Sequence, residues 1–97
     1  MQFIVIAKDY PDALPRRMEV REAHLAMIDT LKVDGKMLYA TALLNDNDQM
    51  CGSVVVYDVA DRAELDALLE AEPFIVNRVW GDLDIQPCRV PPAFLVG

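Results

Sequence analysis

Nearly every position from Gln2 to Lys8 is apolar, with Phe3-Ile4-Val5-Ile6-Ala7 unbroken by a polar residue. Such a run predicts a strand covered on both faces, and therefore a central one. Tyr10 to Pro15 reads as a loop punctuated by Pro11 and Pro15. The second proline suits the first turn of a helix, where its missing N–H has no partner to lose. From Arg16 to Val33 the residues Val20, Ala23, His24, Met27, Ile28 and Leu31 recur at i, i+3, i+4, i+7, i+8 and i+11, the stripe of an amphipathic helix with one buried face. Asp34-Gly35 stops that helix. Lys36 to Leu44 predicts a strand with Met37, Tyr39 and Thr41 on one face and Leu38, Ala40 and Ala42 on the other. The polar cluster from Asn45 to Gln49 turns the chain back into a strand from Met50 to Asp58, whose Val54-Val55-Val56-Tyr57 is again apolar on both faces.

Asp61 and Glu64 stand at the N-cap and N3 positions of a second helix, with Leu65, Leu68 and Leu69 inward and an end near Glu70. Glu72-Pro73-Phe74 then predicts a break and a short helical turn through Val79. Gly81 releases the last strand, Asp82 to Arg89, in which Leu83, Ile85 and Pro87 alternate with Asp84, Gln86 and Cys88 as in an edge strand with one wet face. The order βαββαβ, folded with right-handed crossovers, predicts a single α+β domain over residues 1–97. This is a ferredoxin-like sandwich, a four-stranded antiparallel sheet with both helices on one face. One helical layer cannot cover both sides of the central strands. The helix-free face is therefore expected to pack on the same face of a second copy, giving a homodimeric α+β barrel with a pocket in each protomer.

Composition agrees with a covered face, since 54% of the 97 residues are hydrophobic. A net charge of −7 argues against nucleic acid or an anionic membrane as partner, because both call for a basic footprint. The opening apolar run is too short to span a bilayer and enters Lys8 and Asp9 directly, so it reads as the start of a cytoplasmic protein. Cys51 and Cys88 lack CxxC spacing and a single histidine cannot complete a zinc set with them, so free thiols and no metal are expected. No phosphate loop or dinucleotide fingerprint is present, and any chemistry is expected to need no cofactor.

His24 is the exception in the pattern, the one imidazole of the chain, standing in the apolar stripe of the first helix. Pointed inward, it must find a hydrogen-bond partner or open onto a pocket, because an unpaired buried polar group costs about 1–3 kcal/mol. Arg17 and Arg21, seven and three residues earlier, lie on the adjoining edge of the same face. There they favour the neutral imidazole and could hold an anionic ligand beside it. The alternative is a structural histidine bonded to a carbonyl or carboxylate.

Several features together resemble the YciI-like family of small dimeric proteins, from Met1 to about Phe94. They are the apolar first strand, Arg21-Glu22-Ala23-His24-Leu25, Gly35 before a strand, Gly52-Ser53 in the third strand and the acid-Pro-aromatic motif Glu72-Pro73-Phe74. The Arg-x-x-His spacing is the most telling. Members resemble muconolactone isomerases in architecture, and the resemblance implies that the histidine works with an acidic residue as an acid/base dyad. Some relatives are linked to the breakdown of aromatic compounds, including dehydrochlorination. Two departures stand out: Glu72 replaces the aspartate that many relatives carry, and Thr41-Ala42 stands where the family often shows Gly-Pro.

On this footing His24 is the candidate general base and Glu72 the residue that holds it in one tautomer, with Asp34 as reserve acid. Arg21 would neutralise a substrate carboxylate or enolate. Tyr39, Phe74 and Trp80 are candidates for an aromatic-shaped pocket, and Ser53, lacking a nucleophile's context, for a pocket hydrogen-bond donor. The expected function is an isomerase or lyase type of acid/base enzyme on a small anionic cyclic or aromatic metabolite. The alternative is a non-catalytic dimeric module that binds a small molecule or stabilises an assembly. A cofactor-free oxygenase on the same barrel also stays open, because such barrels differ mainly in their pocket residues. Whether the proline-rich tail Val90 to Phe94 folds over its own subunit or the neighbour's is left open by the sequence, and any crossing would rely on Phe94 and Leu95 as anchors.

Overall fold

A computed structural model describes residues 1–95. Its elements are β1 (Gln2–Asp9), α1 (Leu14–Val33), β2 (Met37–Leu44), β3 (Met50–Asp58), α2 (Arg62–Ala71), α3 (Pro73–Val76) and β4 (Trp80–Cys88), followed by a 3₁₀ turn, Pro92–Phe94. The strands form one sheet in the order β2-β3-β1-β4, every neighbour antiparallel. This is the ferredoxin-like βαββαβ topology, with β1 and β3 central as their composition requires.

Register explains how two strands that are apolar on both sides are used. Phe3, Val5 and Ala7 stand opposite Tyr57, Val55 and Ser53, and these six, with Gly52, are the buried positions of the two strands. The intervening Ile4, Ile6, Val54 and Val56 face the other way and keep part of their surface open to solvent within the protomer. Among the described residues no helix is long and apolar enough to cross a membrane, and Cys51 and Cys88 are free thiols.

Local signals account for most element ends. The αL residue Gly35, at φ 73°, closes α1, with Gly35 N–H donating to Lys32 O at 3.1 Å and Lys36 N–H to Leu31 O at 2.8 Å, the double bond of a Schellman ending. Asp61 Oδ1 accepts from Glu64 N–H at 2.9 Å, while Glu64 reaches back to Ala60 N–H at 3.1 Å.

Four expectations need correction. The β2–β3 register shifts between Met37 and Tyr39, so Met37 turns into the core at 3% exposure while Tyr39 lies 63% exposed on the helix-free face. One extra residue in a strand moves every later side chain to the opposite face. Ala23 is exposed, because α1 meets the sheet along a narrow seam of Arg17, His24 and Leu31, and Ala23 lies about 100° round the helix from His24. The turn after Glu72 ends at Val76, since Arg78 at φ 57° redirects the chain, and β4 starts at Trp80 rather than Asp82. In the tail, whose course the sequence leaves open, Phe94 is 76% exposed within the protomer.

Candidate active site

The sheet's helix-facing side carries small residues at the end where α1 begins, and that is where the polar groups gather. His24 comes from the buried seam of α1 at 6% exposure. Glu72 comes from the junction of the other two helices, where it is at once the C-cap of α2 and the N-cap of α3. Pro73 at the first helical position keeps that junction sharp. Glu72 is fully buried, and its Oε1 accepts from Phe74 N–H at 3.2 Å and lies 2.5 Å from His24 Nδ1. An ionised carboxylate can only accept, so with Glu72 charged Nδ1 carries the proton, and in the neutral ring Nε2 then holds a free lone pair. Nε2 has no hydrogen-bond partner among the described residues. The second carboxylate oxygen, Oε2, is likewise buried without one.

Aromatic rings fix the imidazole in place. Phe74 stacks on it, with centroids 3.8 Å apart and planes 13° off parallel, and Trp80 meets both rings edge-on at 5.8 Å. The Arg17 guanidinium lies over the Phe74 ring, 4.7 Å from its centroid. Arg17 is 2% exposed and donates Nε–H to Asp9 Oδ2 at 2.9 Å, and Nη2–H to Gly52 O at 2.7 Å and to Ser53 Oγ at 2.6 Å. Trp80 Nε1–H also donates to Ser53 Oγ, at 3.1 Å. Burial first, and the negative charge of Glu72 second, push the Tyr57 phenol well above its ordinary value of 10.0. Tyr57 therefore remains a neutral wall of this cluster.

A cavity of about 170 Å³ opens between α1 and the β2–β3 hairpin, lined by Arg17, Arg21, His24 and Ser53 together with Ala40-Thr41-Ala42 and neighbouring apolar residues. A larger open groove of about 800 Å³ runs along the loop from Tyr10 to Leu14. Volume alone favours that groove, but neither His24 nor Glu72 lines it.

Of the residues singled out in the sequence, His24, Glu72, Phe74, Ser53 and Trp80 meet in one cluster. Arg21 is exposed and lines the cavity without an ion pair among the described residues. Phe74 is buried at 0% and is not part of the cavity wall, because its ring is taken up by the imidazole and the guanidinium. Tyr39 is on the opposite side of the sheet, carried there by the β2 bulge. Asp34 is the exposed C-cap of α1, ten residues and about 15 Å along the helix from His24. Arg17 is the group the sequence reading undervalued. At about 100° per residue it lies roughly 20° from His24 on the helix, and Arg21 roughly 60°, so spacing alone marks Arg17 as the guanidinium that follows the imidazole inward. Asp9, at the end of β1, carried no comparable signal.

Residues 1–89 match the YCII-related domain. Protein YciI of Escherichia coli O6:H1 is 28% identical over 95 residues, covering 92% of this chain and 97% of that protein. An uncharacterized protein of Haemophilus influenzae is 27% identical over the same shares. Among solved structures, the 5-chloro-2-hydroxyhydroquinone dehydrochlorinase of Burkholderia phenoliruptrix AC1100, in complex with 2,5-dihydroxybenzoquinone, superposes with a TM-score of 0.83 at 23% identity. The match covers 96% of this chain and 98% of that one. An antibiotic biosynthesis monooxygenase superposes with a TM-score of 0.53 at 18% identity, covering 93% and 98%. Both structural likenesses speak to the fold.

Proposed function

This chain belongs to the YCII-related domain family, and from that premise we propose that it is an acid/base enzyme of the isomerase or lyase type. In this reading His24 moves a proton on a small, anionic, single-ring metabolite and Glu72 orients the imidazole. The observation that carries the reading is the buried 2.5 Å contact between His24 Nδ1 and Glu72 Oε1, on a ring whose other nitrogen is unbonded and which lines a cavity. A carboxylate on Nδ1–H holds the tautomer in which Nε2 accepts a proton, and it stabilises the imidazolium that results. Cavity size supports a single ring, because about 150 Å³ suffices to hold benzene. The dihydroxybenzoquinone bound by the dehydrochlorinase of the same fold is such a ring. Arg21 at the cavity edge supplies local positive charge to an otherwise acidic chain.

The reaction follows from these groups. Nε2 takes a proton from a carbon next to a ring carbonyl, the C–H electron pair becomes a C=C bond, and the carbonyl π pair moves onto oxygen. Collapse of that enolate returns the proton at another carbon in an isomerase. In a lyase it expels a leaving group with its electron pair. Assembly belongs to the same reading: the helix-free face, with Ile4, Ile6, Val54, Val56 and Tyr39, packs on its copy to form a homodimer.

The test is exchange of deuterium from D₂O into the activated C–H positions of single-ring hydroxyquinones and cyclic unsaturated keto acids, followed by NMR. The expected result is exchange that falls about 10²-fold or more in His24→Gln. Undiminished exchange in a folded His24→Gln protein would sink the catalytic reading. The near-complete burial of His24 and Glu72 favours one other role, a polar strut in a non-catalytic dimeric module. That role is recognised by lost stability in the same variant with no exchange in either protein.

A further inference from the structure

The cavity beside His24 changes character along its length, and the two elements that wall it change together. At about 100° per residue, Arg17, Ile28, Arg21 and Leu25 all fall to the same side of His24 around α1, the flank that lines the cavity. Arg17 and Arg21 precede the imidazole along the helix axis, and Leu25 and Ile28 follow it. The flank is therefore cationic in one direction from His24 and aliphatic in the other. The sheet repeats the order. Ala42 pairs with Ser53 and Ala40 with Val55, the two pairs standing about 7 Å apart along the strands. Arg17 donates to Gly52 O and Ser53 Oγ, which sets the cationic end of α1 over the first pair. Asp58 N–H, at the end of β3, donates to Lys36 O just past the end of α1, so helix and strand run the same way. Leu25 and Ile28 thus extend toward Ala40 and Val55.

A ligand that fills this space cannot be polar all round. A hydroxyl pressed against Ile28, Ala40 and Val55 would give up water and find no partner there, whereas a hydrocarbon edge gains by leaving water. Ile28 and Ala40 pack against the core yet keep part of their surface open, and Leu25 is 39% exposed. The volume of about 170 Å³ holds a ring, for which about 150 Å³ suffices, and a small group besides. Thr41-Ala42, where the family often shows Gly-Pro, makes the β2 side of this wall particular to the chain.

We infer that the aliphatic end is a substituent subsite, which takes a methyl or ethyl group on the far side of the ring from its anionic group, and that Ala40 sets the length it accepts. The inference rests on the reading of this cavity as the substrate site. It narrows the substrate class to single-ring anions that carry a short hydrocarbon group opposite the charge. Ala40 has the smallest side chain of the four residues at that end, so each carbon added to it takes the place of one on the ligand. Ile28 bounds the same space from the helix side.

Calorimetric titration with benzoate and its 4-methyl, 4-ethyl and 4-butyl derivatives tests this without turnover, because the charge is constant and only the hydrocarbon grows. The wild-type protein is expected to bind about fourfold tighter for each carbon added up to ethyl, and to lose that gain at butyl. Ala40→Val, whose β-branched side chain suits a strand, fills the aliphatic end. It is expected to bind benzoate as wild type does and to show no gain from methyl or ethyl. Ile28→Ala opens the same end from the helix and is expected to move the optimum from ethyl to butyl. Wild-type affinity that is flat along the series, or an Ala40→Val protein that keeps the ethyl preference, would overturn the subsite and leave the anion site standing. Failure of every benzoate to bind would strike the reading of the cavity as a substrate site, and the subsite with it.

Discussion

At the scale of single residues, the unusual feature is how much polarity is buried within a few ångströms. Glu72, His24, Arg17 and Ser53 are all within 6% exposure, and burying such groups is tolerable only because nearly every atom is partnered. Among the described residues the fully buried side-chain atoms without a partner are Glu72 Oε2 and Asp9 Oδ1, carboxylate oxygens whose sister atom carries the ion pair, while His24 Nε2, also unbonded, belongs to a ring that lines the cavity. Tyr57 reports on this environment from outside the chemistry. Burial and the charge of Glu72 raise its folded-state pKa above the unfolded value of about 10, so above that pH the unfolded chain loses a proton that the folded one keeps. Stability is then present in full below about pH 10 and declines as pH rises, by up to about 1.4 kcal/mol per pH unit for this one group. Denaturant titrations from pH 8 to 11 are expected to show that Tyr57→Phe has a shallower decline than wild type. Equal slopes would mean that Tyr57 ionises as freely in the fold as in the open chain.

At the scale of elements, Arg17 is what ties the start of α1 to the sheet. One guanidinium reaches Asp9 at the end of β1 and Gly52 and Ser53 of β3, so two central strands and the first helix share a single buried cation. Removing it strands the Asp9 carboxylate at 6% side-chain exposure, and breaking a buried pair from one side costs about 3–5 kcal/mol. Removing Asp9 instead leaves Arg17 with two good oxygen acceptors. Arg17→Ala is therefore expected to lower the unfolding free energy by about 3–5 kcal/mol and Asp9→Ala by less, measured by urea titration. The reverse order would place the stabilisation in Asp9 itself. This tie was only half legible in the sequence. Helical spacing puts Arg17 beside His24, but nothing in the order of residues says that Asp9 and Ser53, on different strands, come to meet it.

At the scale of the molecule, a single helical layer leaves one face of a strongly apolar sheet without cover. Ile6 at 37%, Leu43 at 38% and Tyr39 at 63% exposure lie there beside Ile4, Val54 and Val56. Proposed as the dimer face, it predicts a mass in solution of twice the 10.9 kDa chain by light scattering. Ile6→Asp, which sets a charge at its centre, is expected to give monomers, while a dimer unchanged in that variant would move the interface elsewhere. The fold was legible in the residues because it rests on local signals: strand runs apolar on both sides, a helical stripe, Asp34-Gly35, Asp61 with Glu64, and a βαββαβ order that chirality limits to few topologies. The imidazole was legible too, as the one polar break in that stripe. Tertiary structure decided the rest. Whether Glu72 touches His24, whether Arg17 rather than Arg21 enters the core and which way Tyr39 faces are all set by contacts between residues distant in the chain. A hydrogen bond needs two groups within about 3 Å, and only the packed sheet and helices bring them that close.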